Sequence, residues 1–269
     1  MASKTHFTVT IPSIPGHVGG TVTCTEPAPQ VYLLTLASPP DNRLTPPLCA
    51  ALLEALDRAE FGGLRNGVLV TTSAIPKFYS NGLDLQLAMG TPGFTEESLY
   101  PLFRRFLTYP MPTVALVNGH CFAGGLMLAM HHDYRVFGGG VRGYMAVNEL
   151  EFGAPLLPPM AGIFREKLSA PVYRTLALEA RRFGGGEALE AGIVDVLGGW
   201  EDGVMKLVEE RKLTTKGKMG VYGMLKEEMY RGQVALLDAR GSEVVKAPVL
   251  MEREKKRKVE GARRVKAKL

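Results

Sequence analysis

The chain has 269 residues, of which 46% are hydrophobic and 22% are charged, and its formal net charge is +5. This composition indicates one large globular domain, or one domain with a helical appendage. No run of about 18 apolar residues occurs, so a membrane span is not expected, and the scattered Cys24, Cys49 and Cys121 lack the spacing of a metal site or a disulfide framework.

The positive charge is concentrated near the C-terminus. Residues 246–268 carry ten Lys or Arg against three Glu, which leaves the rest of the chain close to neutral. We expect a solvated tail that is partly helical or disordered. Nucleic acid is not an expected partner, because the tail has no interleaved aromatic residues and the body has no basic stripe.

Strands and helices alternate along the first part of the chain. Residues 1–30 are rich in Pro, Gly and Thr and predict short strands and turns, and "VYLLTLAS" (31–38) predicts a buried strand. The segment "TPPLCAALLEALDRAEF" predicts a helix with Thr45 as its N-cap, proline in its first turn and leucines on one face. "NGVLVTTS" predicts a second buried strand, and "PKFYSNGLDLQLAM" predicts a loop that enters a helix.

The same alternation continues in the second part. "EESLYPLFRRFLTYP" predicts a helix, "TVALVNG" a third buried strand and "AGGLMLAMHHD" another helix. "YRVFGGGVRGYMAV" predicts two short strands joined by a glycine turn, and the pattern from "PPMAGIFREKL" onward is mainly helical. This order implies right-handed crossovers and an α/β fold.

Two loops place glycine where a helix begins after a buried strand. They are "SNGLDL" (80–85) and "FAGGL" (122–126). Free N–H groups at helix starts carry partial positive charge, and two of them that converge would make an oxyanion hole. Close packing of a helix on a strand is the alternative explanation, and the residues alone leave both open.

Glu149, in "AVNELEFG", is the candidate acid–base residue. It follows a predicted strand among apolar residues, and such surroundings raise the pKa of a carboxyl group and suit proton transfer near neutral pH. Strand alternation would put Glu151 on the same face, so periodicity does not choose between them. An ordinary surface glutamate is the alternative.

The remaining motifs give weaker predictions. His131 and His132 are adjacent and project differently from a helix, so we interpret them as packing or surface residues, whereas His120 could line a site. "GGGVRG" (138–143) matches GxGxxG, but the strand pattern after it favours a hairpin turn. No GxSxG, Walker A or HExxH sequence occurs and Cys121 has no identifiable activating base, so nucleophilic catalysis is unsupported.

Four segments together resemble the crotonase family, the enoyl-CoA hydratase/isomerase superfamily. They are "KFYSNGLDL", "PTVALVNGHCFAGGLMLAMHHDYRV", "NELEFG" and "RRFGGGEALEAGIVD", within about residues 31–196. The resemblance implies an α/β spiral of ββα repeats, with a C-terminal helical segment that supports homotrimers or dimers of trimers. We therefore divide the chain into a crotonase-like core with the N-terminal strands, 1–200, and a C-terminal helical region with the basic tail, 201–269.

The resemblance also assigns residues to an acyl-CoA site. The oxyanion N–H groups fall on Leu83 and Gly124, and the retained catalytic acid falls on Glu149. No metal or redox cofactor is implied, since coenzyme A is part of the substrate. The residues implied for coenzyme A binding are Arg43 for the phosphates and the loop that carries Ser80, Asn81, Gly82 and Asp84 for the adenine ring.

One family position departs from the hydratase arrangement. Hydratases of the family use two glutamates, and the first aligns with Met127 here; Leu157 occupies the place where some isomerases carry their acid. A single base beside an oxyanion hole suits moving a double bond from 3-enoyl-CoA to 2-enoyl-CoA. A hydratase, a thioester hydrolase, another acyl-CoA-converting member and a non-catalytic acyl-CoA-binding protein remain alternatives.

The last three residues, Ala267-Lys268-Leu269, are similar to the peroxisomal address S-K-L. They predict a peroxisomal import receptor as a partner and the peroxisomal matrix as the location.

Overall fold

The computed structural model describes residues 4–140, 143–240 and 246–266. The tripeptide Ala267-Lys268-Leu269 lies outside the described residues. Within them, no helix combines the length and the apolar character that crossing a membrane requires. The strands are β1 (Lys4–Ile11), β2 (Gly20–Ala28), β3 (Val31–Ala37), β4 (Val68–Ser73), β5 (Phe78–Ser80), β6 (Thr113–Val117), β7 (His120–Phe122), β8 (Tyr134–Phe137), β9 (Met145–Ala146) and β10 (Val196–Leu197).

Helices follow most of the strand pairs and make up most of the C-terminal region. They are α1 (Pro46–Phe61), α2 (Leu85–Gly90), α3 (Tyr100–Leu107), α4 (Gly124–Met130), α5 (Pro158–Lys167), α6 (Ala170–Leu178), α7 (Gly185–Glu190), α8 (Lys206–Glu210), α9 (Tyr222–Met229), α10 (Arg231–Asp238) and α11 (Ala247–Lys266).

Two sheets organise the described residues. The larger has the order β1-β2-β3-β4-β6-β8-β10, and the smaller has the order β5-β7-β9. The N-terminal strands β1, β2 and β3 are antiparallel, whereas β3, β4, β6, β8 and β10 run parallel. The α/β prediction is therefore confirmed, with an antiparallel extension made by the N-terminal strands.

The chain repeats one unit three times. β4, β6 and β8 each enter the large sheet, and each is followed by a short strand of the small sheet, β5, β7 and β9. Helices follow each pair, which gives the ββα spiral. The predicted hairpin at "GGGVRG" is wrong, because β8 pairs with β6 and β10 whereas β9 pairs with β7. The chain therefore passes from the large sheet at β8 to the small sheet at β9 and does not form a hairpin.

Helix α1 begins as its sequence predicts. The Thr45 side chain accepts a hydrogen bond from the backbone N–H of Leu48, and proline occupies the first turn, where no backbone donor is needed. One face of the helix is fully buried, including Leu52 and Leu56. This face packs on the large sheet and on α3.

Two apolar clusters cover the large sheet. The larger contains side chains of α1, α3, α4 and α5. The smaller joins Val68, Val70 and Val114 of the sheet to Val204 and Leu207 near α8. Because both faces are covered, the central strands β4 and β6 are buried along their whole length, and buried and exposed positions do not alternate.

Buried charges join the C-terminal helices to the core. Lys226 of α9 is 6% exposed, and its ammonium group lies 2.9 Å from a carboxylate oxygen of Asp133. The next helix, α10, packs on α3 and α5, whereas α11 has no buried residue. The division of the chain at residue 200 stays a prediction.

Candidate functional site

The first glycine loop, residues 80–84, is held from beneath by buried hydrogen bonds. The Ser80 hydroxyl donates to the carbonyl of Asn42 at 2.7 Å, and the backbone N–H of Leu44 donates to the carbonyl of Gly82 at 2.8 Å. Gly82 has a φ of +83°, in the left-handed region that favours glycine. The loop therefore turns sharply and presents the N–H of the next residue, Leu83, away from these bonds.

The second glycine loop leads from β7 into α4. Ala123 has a φ of +48°, which is unusual for a residue with a side chain, and its N–H donates to the carbonyl of Ala146 at 2.8 Å. Gly124 is the first residue of α4, where an N–H has no partner within the helix. No pattern in the sequence predicted the positive φ at Ala123.

The two loops meet. A Cβ atom placed on Gly82 would lie 3.1 Å from the backbone nitrogen of Gly124, and one placed on Gly124 would lie 3.2 Å from Cγ of Leu83. Within the described residues, neither the N–H of Leu83 nor that of Gly124 has an acceptor. The structure thus brings the two predicted donors together with their hydrogens unused, as an oxyanion hole requires.

Glu149 begins a short 3-10 turn, residues 149–152, and does not lie in a strand. It is 8% exposed, whereas Glu151 is exposed and pairs with Arg182. The expectation that strand alternation puts both glutamates on one face is therefore wrong, because the chain has already turned into the 3-10 helix. The structure distinguishes the two acids that periodicity left equivalent.

The surroundings of Glu149 favour its neutral form. Burial raises the pKa of Glu149 to about 7, and its own backbone N–H offsets this only in part. Its Oε2 atom is buried with no hydrogen-bond partner among the described residues. A buried carboxyl oxygen without a hydrogen-bond partner destabilises the fold. The Oε2 atom of Glu149 is therefore available to a bound ligand, and a pKa near neutral pH suits the exchange of a proton with that ligand.

The small sheet connects Glu149 to the second loop. Phe122 of β7 pairs with Ala146 of β9, and Glu149 follows Ala146 by three residues. Three residues span at most about 10 Å. Glu149 therefore lies within this span of Ala146, the residue that pairs with the end of β7.

A cavity of about 690 Å³ opens beside Glu149. Its walls come from the 3-10 turn, α5 and α6 and are mostly apolar, with Leu156, Leu168 and Tyr173 among them. Neither Leu83 nor Gly124 lines it in the described part of the chain. Of the residues assigned to the acyl-CoA site, Glu149 is the one that lines this cavity in the described part of the chain.

The residues implied for coenzyme A binding lie in different surroundings. Asn81 donates from its side chain to Asp41 at 2.7 Å, and Arg43 donates to the carbonyl of Leu83 at 3.2 Å. Both remain partly exposed beside the first loop. A direct ligand contact at Ser80 is not supported, because Ser80 has no exposed surface and packs behind α4.

Asp84 has a structural task that the sequence did not reveal. Its carboxylate accepts a hydrogen bond from the backbone N–H of Leu87 at 3.0 Å and caps α2, and His17 lies 3.0 Å from its other oxygen. The backbone bond and then His17 hold the pKa of Asp84 below its usual value, against the opposing effect of burial. His17 lies far away in the sequence, so no local pattern pointed to it.

Asn42 is the other supporting residue that sequence analysis missed. It has no exposed surface and a φ of +50°. Its side chain accepts from the N–H of Ser38 and donates to the hydroxyl of Ser73 and to the carbonyl of Tyr79. It joins the end of β3 to β4 and β5, beneath the first glycine loop.

The two adjacent histidines after α4 are packing residues. His131 and His132 have no exposed surface and stack on Phe103 and Phe106, as one of the sequence interpretations predicted. Burial lowers the pKa of His131 to about 3, so it is neutral. His120 stacks on Phe122 and belongs to an aromatic cluster of the small sheet. Among the described residues, no group of His, Cys, Asp and Glu is arranged to hold a metal ion.

Comparison with known proteins gives a consistent assignment. Residues 26–249 match the family model described as enoyl-CoA hydratase/isomerase. The chain belongs to this family. The chain is 33% identical over 214 residues to peroxisomal enoyl-CoA delta isomerase 2 of Arabidopsis thaliana, which covers 74% of this chain and 88% of that relative. It is 34% identical over 173 residues to enoyl-CoA delta isomerase 3 of the same plant, covering 61% and 72%.

A solved structure has a similar fold. A protein of Mycobacterium tuberculosis, described both as an enoyl-CoA isomerase and as a probable enoyl-CoA hydratase, superimposes with a TM-score of 0.70 at 25% identity, covering 80% of this chain and 93% of that one. The crotonase-family fold that the resemblance implied is therefore confirmed. Membership of the enoyl-CoA hydratase/isomerase family supports an enzyme that acts on enoyl-CoA thioesters, as an isomerase or a hydratase.

Proposed function

We propose that this family member is a Δ3,Δ2-enoyl-CoA isomerase of fatty-acid β-oxidation. The observation that carries the proposal is the arrangement of acids. Glu149 is the one carboxylate that lines the cavity in the described residues, whereas Met127, at the position of the family's other glutamate, is a fully buried thioether. Two acids can orient and activate water, but a single buried base is suited to moving a proton between two carbons.

The reaction would use the two loops and the acid together. The N–H groups of Leu83 and Gly124 would donate to the thioester oxygen. The Glu149 carboxylate would take a proton from C2, and the C–H electrons would move into a dienolate whose charge rests on that oxygen. Protonated Glu149 would return the proton to C4, which leaves the double bond between C2 and C3.

The pKa of Glu149 suits both proton transfers of this reaction. A base with a pKa of about 7 accepts a proton and releases it again near neutral pH without a large cost in either direction. The apolar side chains around it would limit the access of water to the dienolate.

The decisive experiment is an assay with a 3-enoyl-CoA substrate. We expect the absorbance of the conjugated 2-enoyl thioester to appear in the absence of any metal or redox cofactor. If the dominant reaction is hydration of 2-enoyl-CoA or cleavage of the thioester, the isomerase assignment is wrong. Tight acyl-CoA binding without turnover of any thioester would favour the non-catalytic alternative.

Coenzyme A would lie beside the first glycine loop. We propose that its adenine ring is held by the backbone around Asn81, Gly82 and Asp84, and that Arg43 contacts a phosphate. The partial exposure of Asn81, Asp84 and Arg43 supports this placement. Competition between free coenzyme A and the substrate, measured for Arg43→Gln against the unchanged protein, tests the phosphate contact.

We also propose a homotrimer or a dimer of trimers, and a location in the peroxisomal matrix. The exposed apolar side chains Met224, Leu225 and Met229 on α9 support an assembly. The name of the Arabidopsis relative, a peroxisomal isomerase, supports the location. Light scattering on the purified protein measures the subunit number.

A further inference from the structure

A chain of buried hydrogen bonds runs from α4 to β5. The Nδ1 atom of His132 lies 2.9 Å from the carbonyl oxygen of Leu128 in α4, and its Nε2 atom lies 2.9 Å from the hydroxyl of Thr71 in β4. The Thr71 hydroxyl lies 2.8 Å from the hydroxyl of Tyr79 in β5. Thr71, Tyr79 and His132 are at most 1% exposed, so solvent does not compete for these bonds.

The donor in each of these bonds follows from the chemistry of the groups. The carbonyl of Leu128 can only accept, so Nδ1 of His132 carries a proton. Burial holds the pKa of His132 well below its ordinary value, so the ring is neutral and its Nε2 atom accepts. Thr71 therefore donates to His132, which leaves the Thr71 oxygen to accept from the Tyr79 hydroxyl.

The two ends of this chain lie next to the two glycine loops. Tyr79 immediately precedes the first loop, which carries the N–H of Leu83. Leu128 belongs to α4, and the first residue of that helix is Gly124. The chain thus connects the element that carries one predicted oxyanion donor to the element that carries the other.

The first turn of α4 rests directly on the end of β5. A Cβ atom placed on Gly125 would lie 2.6 Å from the carbonyl oxygen of Ser80. Because glycine presents no side chain there, this contact limits how closely the two elements approach but does not interlock them. Hydrogen bonds are directional, so the chain through Thr71 holds α4 in one orientation relative to β5.

The neighbouring His131 connects α4 to a different part of the protein. Its Nδ1 atom lies 2.7 Å from the carbonyl oxygen of Met127, and its Nε2 atom lies 3.2 Å from the side-chain nitrogen of Gln233 in α10. His131 therefore joins α4 to the C-terminal helices. Of the two histidines, His132 is the one whose hydrogen bonds lead to the first glycine loop.

We propose that Tyr79, Thr71 and His132 are positioning residues for the reaction. They hold the N–H groups of Leu83 and Gly124 at the separation that one thioester oxygen requires. The inference rests on the proposed function, because that function makes the two N–H groups an oxyanion hole. Negative charge builds on the oxygen in the dienolate, so displacement of either donor weakens the charged state more than the binding of a neutral thioester.

The test compares the binding of a charged and a neutral ligand, so it does not need turnover. Acetoacetyl-CoA ionises to an enolate that shares its negative charge with the thioester oxygen, whereas butanoyl-CoA has a neutral thioester. Both are titrated by calorimetry into the unchanged protein, Tyr79→Phe, Thr71→Val and Thr71→Ser, and the absorbance of the enolate is recorded. Circular dichroism confirms that each variant is folded, and Tyr79→Phe carries the test if Thr71→Val does not fold.

Tyr109→Phe is the matched control. Tyr109 has no exposed surface, and its hydroxyl donates to the carbonyl of Leu56 at 2.9 Å. This bond joins α1 to the segment before β6, and neither of these carries a glycine loop. The control therefore removes one buried tyrosine hydroxyl without cutting the chain between the loops.

We expect acetoacetyl-CoA to bind more tightly than butanoyl-CoA to the unchanged protein. Tyr79→Phe and Thr71→Val should each weaken acetoacetyl-CoA binding about tenfold, because hydrogen bonds to a charged oxygen are misaligned, and should change butanoyl-CoA binding less than about twofold. The double variant should lose no more than the weaker single variant, since both changes cut one chain. Thr71→Ser keeps the hydroxyl and should recover most of the affinity, and Tyr109→Phe should change neither ligand.

Two results would overturn the positioning role alone. They are unchanged acetoacetyl-CoA binding in Tyr79→Phe and Thr71→Val, and an equal loss for both ligands, which would indicate a general structural effect. If acetoacetyl-CoA binds no more tightly than butanoyl-CoA to the unchanged protein, the oxyanion hole itself is refuted and the positioning role with it. A turnover assay with 3-enoyl-CoA is a separate arm: absence of reaction refutes the isomerase assignment and leaves the binding comparison valid.

Discussion

A Cβ atom placed on Gly82 would lie 3.1 Å from the backbone nitrogen of Gly124, although the two residues belong to different loops. The two loops thus lie so close together that a side chain at position 82 would crowd the second loop. The space between them is the place that the proposed function gives to the thioester oxygen.

Gly82→Ala should therefore lower kcat about a hundredfold or more, because the added methyl group displaces a donor of the oxyanion hole. Gly16→Ala is the matched control: Gly16 also has a φ of +83°, but its Cβ would meet nothing within 4 Å. Both changes carry about 1 kcal/mol of backbone strain. Equal kcat values for the two variants would contradict the role given to the loop contact.

Glu149→Gln should lower kcat by roughly two to four orders of magnitude, since the amide cannot take up the proton. In the unchanged protein, kcat/KM should rise with pH and level off above an apparent pKa of about 7, because the base must be ionised. Glu151→Gln, at an exposed acid two residues away, should retain activity and the same pH profile. Retained activity in Glu149→Gln would show that Glu149 is not the catalytic base.

The same acid should make stability depend on pH. The pKa of Glu149 is about 7 in the folded state, whereas a glutamate in the unfolded chain has an ordinary pKa of 4.5. Between these values the folded state binds more protons than the unfolded state, so the free energy of unfolding falls as pH rises. The Glu149 contribution is lost by about pH 7 and amounts to about 3 kcal/mol.

Glu149→Gln should consequently be more stable than the unchanged protein at pH 8 and nearly equal to it at pH 4. Urea unfolding at the two pH values measures the difference, with Glu151→Gln as the control. A variant that is less stable at pH 8 would show that Glu149 is not held neutral by burial.

Lys226→Met should destabilise the protein by about 3 kcal/mol, because it leaves the Asp133 carboxylate, whose side chain is 10% exposed, without its cation. Lys206→Met provides the comparison: that side chain is 64% exposed and lies 3.9 Å from Glu210. Its loss should cost less than about 0.5 kcal/mol. Equal urea midpoints for the two variants would argue against an anchoring role for Lys226.

A fluorescent protein that ends in residues 260–269 should accumulate in peroxisomes, because the final tripeptide is similar to an import address. The same fusion without Leu269 should remain in the cytosol. Cytosolic fluorescence for both would contradict the proposed location.

Several features of this protein could be predicted from its sequence, because they depend on interactions between residues close together in the chain. The largely apolar runs of β3, β4 and β6 predicted buried strands, because a strand covered on both faces has no side left for regular alternation with polar residues. Thr45 followed by two prolines predicted the start of α1, since an N-cap and proline act within one turn. The glycine loops by themselves left close packing and ligand binding both open; the family resemblance assigned the donors to Leu83 and Gly124, and that role stays a prediction.

Tertiary structure decided what depends on distant parts of the chain. It separated Glu149 from Glu151 by turning the chain into a 3-10 helix, where alternation along a strand no longer applies. It sent β8 and β9 into different sheets, since pairing partners are chosen by the spiral and not by the glycines between them. Burial, and therefore the pKa of Glu149 and the cavity beside it, is a property of the packed elements α5 and α6, which no local sequence pattern contains.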